Sequence, residues 1–138
     1  LPFDTLYVQA PPTSLFATQL KRAVGAGSQT KISDNAKTAA ATLQILSEAR
    51  EKQILSLSTG GRVSEFRLLY RVSYRLLDSK NIDRIPPGQI VLQRDFAFND
   101  QQVLSKESEE ALLYRDMQTD AVQQLVRRLQ ATRLDAKS

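Results

Sequence analysis

The sequence predicts an α+β fold: a two-layer sandwich whose mostly antiparallel four-stranded sheet carries two helices on one face, in the order β-α-β-β-β-α. Three observations predict it. Glu65 to Leu77 alternates with a period of two, placing Phe66, Leu68, Tyr70, Val72, Tyr74 and Leu76 on one face of an extended strand. Gly60-Gly61, just before it, is a turn signal that suits a hairpin with a preceding strand. Two segments, one near each end of the chain, repeat apolar residues at helical spacing on one side only.

Taken in order, Thr5 to Gln9 reads as a short strand that Pro11-Pro12 ends. Thr13 or Ser14 can then cap a helix, because a hydroxyl oxygen accepts from an amide that the first turn leaves unpaired. Leu15, Phe16, Leu20, Ala23 and Val24 share its apolar face, and Gly25 and Gly27 suit its C-terminal end. Residues Lys31 to Ser58 are ambiguous. Ala36 to Ala41 and Ser47 to Gln53 are good helix formers, whereas a hairpin with the long strand needs an extended partner here. The topological argument gives two consecutive strand pieces, kinked or bulged near Ala49-Arg50.

After Leu77, residues Asp78 to Gly88 have a loop composition. Gln89 to Phe98 reads as a further strand, with Ile90, Leu92, Phe96 and Phe98 on one face and Arg94 interrupting it; Asn99-Asp100 closes it. Ser105 or Ser108 opens the longest helix, with Glu107, Glu109 and Glu110 at the end where its dipole favours acids. Leu113, Met117, Ala121, Leu125 and Leu129 form its core stripe. Residues 1–134 thus make one domain, and residues 135–138 a frayed tail.

The chain has 138 residues, enough for one domain with a real core. A net charge of +4 favours anionic partners such as nucleic acid, acidic lipid or lipopolysaccharide, and is equally compatible with plain solubility. With no cysteine and no histidine, disulfides, cysteine-based zinc sites and histidine-dependent nucleophilic catalysis are excluded. No paired carboxylates stand in an apolar setting, so the chain reads as a non-enzyme without cofactor or metal. The opening Leu-Pro-Phe-Asp is neither a methionine start nor a signal peptide, so targeting information is expected upstream.

Three sets of residues are candidates for function. Arg67, Arg71 and Arg75 recur at a spacing of four on the polar face of the long strand. They suit either a solvated face or a contact with an anion or partner, since guanidinium forks match phosphates and carboxylates at two points. Arg62 at the glycine turn and Lys106 at the start of the long helix are the second set; a lysine is slightly unfavourable at a helix N-terminus. The third set is Phe66, Tyr70 and Tyr74, which in a basic RNA-binding α/β domain would be a stacking platform. Because Leu68, Val72 and Leu76 lie among them, a buried core face is the better reading.

Four stretches together resemble the lipopolysaccharide-assembly lipoprotein family LptE, also called RlpB. Ser14-Leu-Phe-Ala-Thr-Gln-Leu-Lys-Arg-Ala-Val24 is similar to its first helix, and Glu65-Phe-Arg-Leu-Leu-Tyr-Arg-Val to its central strand. Arg94-Asp-Phe-Ala-Phe-Asn-Asp100 is similar to the strand end before the second helix. Glu110 to Leu129 is similar to the long C-terminal helix. The resemblance implies strands between Lys37 and Ser58, a lipid-modified cysteine upstream of Leu1, and a place at the inner face of the outer membrane of Gram-negative bacteria. It also implies the family's partners: the LptD β-barrel translocon, which these proteins plug and help assemble, and lipopolysaccharide. Of two basic positions that matter for lipopolysaccharide in the family, one aligns with Lys106. At the other this sequence has Thr59, with Arg62 three residues on as a substitute. The competing RNA-binding reading uses the same arginines and requires exposed aromatic rings.

Overall fold

The structure, a computed structural model, describes residues 2–57, 60–61, 63–97 and 103–132. Its elements are β1 (Thr5–Gln9), α1 (Leu15–Gly27), β2 (Lys31–Ile32), β3 (Ala41–Leu57), β4 (Val63–Asp78), β5 (Asp83–Ala97) and α2 (Val103–Gln130). The strands form one sheet in the order β2-β1-β3-β4-β5. This is the expected α+β architecture with one addition, the two-residue edge strand β2. The sheet is mixed: β1 runs parallel to β2 and β3, whereas β3, β4 and β5 are antiparallel. The reason is the crossover. Helix α1 carries the chain back along β1, so the next strand must run in β1's own direction.

Ser14 caps α1: its Oγ accepts from the Ala17 amide at 3.0 Å. The helix continues through both glycines, and Ser28 ends it by donating its hydroxyl to the Val24 carbonyl at 2.7 Å. The glycines are therefore helical residues, not the expected C-caps. Phe16, Ala17, Leu20 and Val24 are buried, while Leu15, at the first turn, is 66% exposed.

Strand β3 is one continuous strand of 17 residues, not two pieces. Its irregularities fall between Ile45 and Ser47 and between Ile54 and Leu57, not at Ala49-Arg50. The helix-forming composition of this stretch is overridden by pairing with β4 along its whole length. The turn between them holds Gly61 at a φ of 78°, a conformation open to glycine. Strand β5 begins earlier than expected, at Asp83, because Asp78 to Ile82 form a tight turn. Its Pro86-Pro87 pair is tolerated because β5 is an edge strand, where one row of amides needs no partner. Phe98, Asn99, Asp100 and the tail from Asp135 lie outside the described residues.

Both helices lie on one face of the sheet. The core joins Leu6 and Val8 of β1, Leu43 and Ile45 of β3, Leu68 to Leu76 at alternate positions of β4, and Met117, Ala121, Leu125 and Leu129 of α2. Tyr70 is 1% exposed, and Tyr74 is buried as well. Arg94 is on this face too, as expected, and its apparent intrusion has a cause: it reaches Asp116 and Asp120 of α2, each at 3.3 Å.

Lengths explain what the helices leave open. Strand β3 is about 55 Å long at 3.3 Å per residue, and α1 about 20 Å at 1.5 Å per residue. Ser14, at the start of α1, donates its hydroxyl to Glu48, near the middle of β3. Helix α1 therefore shields only the half of β3 that holds Ala41, Leu43 and Ile45, and Glu48 onward is mostly exposed.

Candidate functional site

The sheet face away from the helices carries the arginine stripe. Arg67 lies opposite Asp95 on β5 and forms a two-point ion pair with it, at 2.9 and 3.2 Å. Arg75 does the same with Asp83, at 2.8 and 3.0 Å. Arg71 meets Glu51 of β3 at 3.1 Å. The hydrogen bonds and charge of Asp95 hold the Arg67 guanidinium above its ordinary pKa, and Arg67 holds the Asp95 carboxyl below the usual carboxylate range. The stripe is thus neutralised by the strands on either side of it. Gln44, Gln53, Gln89 and Gln93 extend the same polar face, with the Gln44 amide donating to the Gln9 side-chain oxygen at 3.2 Å. The result is a hydrogen-bonding, charge-matched surface.

The helix side is different in its distal half. Glu48 accepts from the hydroxyls of Ser14 and Tyr70, the latter at 3.4 Å. Burial, with Glu48 alongside, pushes the Tyr70 phenol well above its ordinary pKa. The Arg50 guanidinium lies over the Tyr114 ring, 5.0 Å from its centroid. The Tyr114 hydroxyl donates to the Glu51 carbonyl at 3.0 Å, and burial raises its pKa. Lys52 is 3.2 Å from Glu110 and 4.1 Å from the centre of the Phe66 ring, which stacks on Phe96. Glu48, Arg50 and Lys52 were not singled out from the sequence. Their alternation was visible, but the register that groups them with α2 was not.

Lys106 is in the first turn of α2, one turn before Glu110. Arg62 belongs to the β3–β4 connection and lies outside the described residues. Among the described residues no group of three or more acidic side chains is arranged to hold a metal, and no helix is long and apolar enough to cross a membrane. The rings that a stacking platform would need are in the core: Tyr70 and Tyr74 are buried and Phe66 is half-buried.

The profile of the LptE family, described as lipopolysaccharide-assembly, matches residues 3–129. The chain belongs to the LptE family. Its fold is similar to that of an uncharacterized lipoprotein B from Nitrosomonas europaea, solved by NMR: TM-score 0.84 and 43% identity, covering 94% of this chain and 83% of that one. It is also similar to the rare lipoprotein B of Shewanella oneidensis, with a TM-score of 0.81 and 21% identity over 93% and 95% of the two chains. A minor lipoprotein from Acinetobacter baumannii gives a TM-score of 0.76 and 21% identity over 96% of each. No curated protein matches the sequence. The LptE family serves lipopolysaccharide assembly and is non-catalytic. The resemblance read from the four sequence stretches is therefore confirmed over nearly the whole chain.

Proposed function

We propose that this LptE-family protein plugs the LptD β-barrel translocon, helps it assemble, and binds lipopolysaccharide on its way to the cell surface. It would act at the periplasmic side of the outer membrane, held there by a lipid anchor on a cysteine upstream of Leu1. The observation that carries the reading is the family match over residues 3–129. The open sheet face supports it. The lumen of a large barrel is polar, so a plug needs an outer surface rich in hydrogen-bonding groups yet without a large net charge. Arg67, Arg71 and Arg75, each paired with a carboxylate, meet that need and are proposed as barrel contacts. Lys106 and Arg62 are proposed as lipopolysaccharide contacts, since lipid A phosphates and core sugars are anionic.

Co-purification of the full-length lipoprotein from detergent-solubilised outer membranes tests the plug. A stoichiometric large β-barrel partner is the expected result; protein free of any barrel but carrying nucleic acid would overturn it. The ligand half is tested separately. The double variant Lys106→Glu/Arg62→Glu should keep its melting curve and bind purified lipopolysaccharide at least about tenfold more weakly. Unchanged binding by the folded variant would remove both residues from the site.

A further inference from the structure

Both helices run toward the end of the sheet at which β1 begins. Helix α1 starts beside Glu48 and leads to Thr30, whose hydroxyl donates to the Phe3 carbonyl at 2.8 Å. Helix α2 passes from Glu110, beside Lys52, to Gln118, beside Gln19 of α1, and on to Gln130. The β2–β3 and β4–β5 loops are at this end too, because Leu6, Ala41 and Asp78 pair across the sheet there. Lys21 and Arg22 of α1, Lys31 of β2, and Arg127 and Arg128 of α2 are exposed here, with Lys37 and Lys80 on the two loops. None of the seven forms an ion pair among the described residues. Of the nearby acids, Asp78, Asp83 and Asp120 are held by Arg84, Arg75 and Arg94, which leaves Asp4 and Asp34 against the seven cations. That excess is larger than the net charge of the whole chain, +4. Helix dipoles favour cations at their C-termini, which accounts for Arg127 and Arg128 in the last turn of α2. It does not account for Lys21 and Arg22, since the last turn of α1 holds no basic residue, nor for the three lysines of β2 and the loops. Ile82, in the same turn as Lys80, is 50% exposed.

We propose that this end of the molecule seats on an anionic phospholipid surface, with Lys21, Arg22, Lys31, Arg127 and Arg128 among the headgroup phosphates. Two observations choose a membrane over other anions. The chain enters β1 from this end, so whatever precedes Leu1 leaves the fold beside these cations. The inference rests on the reading of an upstream lipid anchor, which would draw the same end down to the bilayer. The cations are also carried by both helices, an edge strand and two loops, which suits a broad charged plane better than a single groove. The seat orients what the anchor holds. With this end at the surface, β3 carries the β3–β4 connection up to about 55 Å away from it.

The test is cosedimentation of the 138-residue chain with vesicles of phosphatidylcholine alone or mixed with phosphatidylglycerol. The chain has no cysteine to acylate, so binding reports charge without the anchor. It should bind the mixed vesicles at least about tenfold more tightly than the neutral ones, and lose that preference as salt rises from about 50 to about 500 mM. Lys21→Gln/Arg22→Gln and Arg127→Gln/Arg128→Gln should each weaken binding about tenfold. Arg50→Gln/Arg71→Gln removes the same charge from the other half of the molecule and should bind within about twofold of the wild type. All three should keep a cooperative unfolding transition. Equal binding to both vesicle types, unchanged binding by the first two variants, equal losses from all three, or binding of an RNA oligonucleotide in place of the vesicles would overturn the seat. Mass spectrometry of the full-length protein taken from membranes tests the anchor separately. An acylated protein whose chain ignores phosphatidylglycerol keeps the anchor and loses the seat; a protein without an acyl group removes the anchor and with it the choice of a membrane.

Discussion

Asp78 shows how much one side chain can organise. Its carboxylate accepts from the amides of Lys80 and Ile82, at 2.8 and 3.0 Å, and from Arg84 at 2.9 Å. This closes the β4–β5 turn, in which Asn81 adopts a φ of 62°. The Ile82 amide first, then Lys80 and Arg84, hold the carboxyl below the usual carboxylate range. A depressed folded-state pKa contributes stability that is fully present above the unfolded-state value and is lost as pH falls through the folded one. Asp78→Asn should therefore unfold at lower urea than the wild type at neutral pH, with the gap closing below about pH 4. A gap that persists unchanged in acid would mean the turn does not depend on the charge. At this scale the sequence was half legible. The arginine stripe could be counted off, but its neutralisation could not. Asp83, Asp95 and Glu51 sit on other strands, and only the register brings them to Arg75, Arg67 and Arg71.

Among the elements, α2 carries the largest share of what holds the layers together. Met117, Ala121, Leu125 and Leu129 are each fully buried at four-residue steps. Gln19 of α1 ties the helices together, donating to Thr119 at 2.9 Å and accepting from Gln118 at 2.8 Å. Leu125→Asp would place a carboxylate in this core without a partner. The cost, about 4–5 kcal/mol or more, is comparable to the whole stability of a small domain. Loss of a cooperative thermal transition is expected by circular dichroism; an unchanged melting curve would mean the stripe is not packed as described. The stripe was legible because a helix of this length repeats its pattern many times. Strand β3 was legible only through its partner: Ala36 to Ala41 and Ser47 to Gln53 carry helix-forming residues, and it was the long strand's need for a hairpin neighbour that gave strand here, in two pieces where the structure has one. The early start of β5 was hidden by Pro86-Pro87-Gly88, which reads as loop unless the strand is known to be an edge.

For the molecule as a whole, the family and the layer order were within reach of the sequence, while the uneven cover of the sheet was not. It depends on where a short helix begins relative to a long strand, and that is set by the Ser14–Glu48 contact between residues far apart in the chain. The mismatch between α1 and β3 should also divide the protein in time. Leu43 and Ile45 are buried beneath packed side chains, so exchange of their amides with deuterium should require global unfolding. Amides between Lys52 and Leu57 pair with β4 yet have little burial to back them, and should exchange through local opening at rates insensitive to small amounts of denaturant. Residue-resolved exchange would show the step along a single strand near Glu48; uniform protection from Ala41 to Leu57 would exclude it. One hydrogen-bonded ladder would then serve two purposes. Its proximal half keeps the fold, and its distal half stays free to open and close around whatever it meets without putting the rest of the molecule at risk.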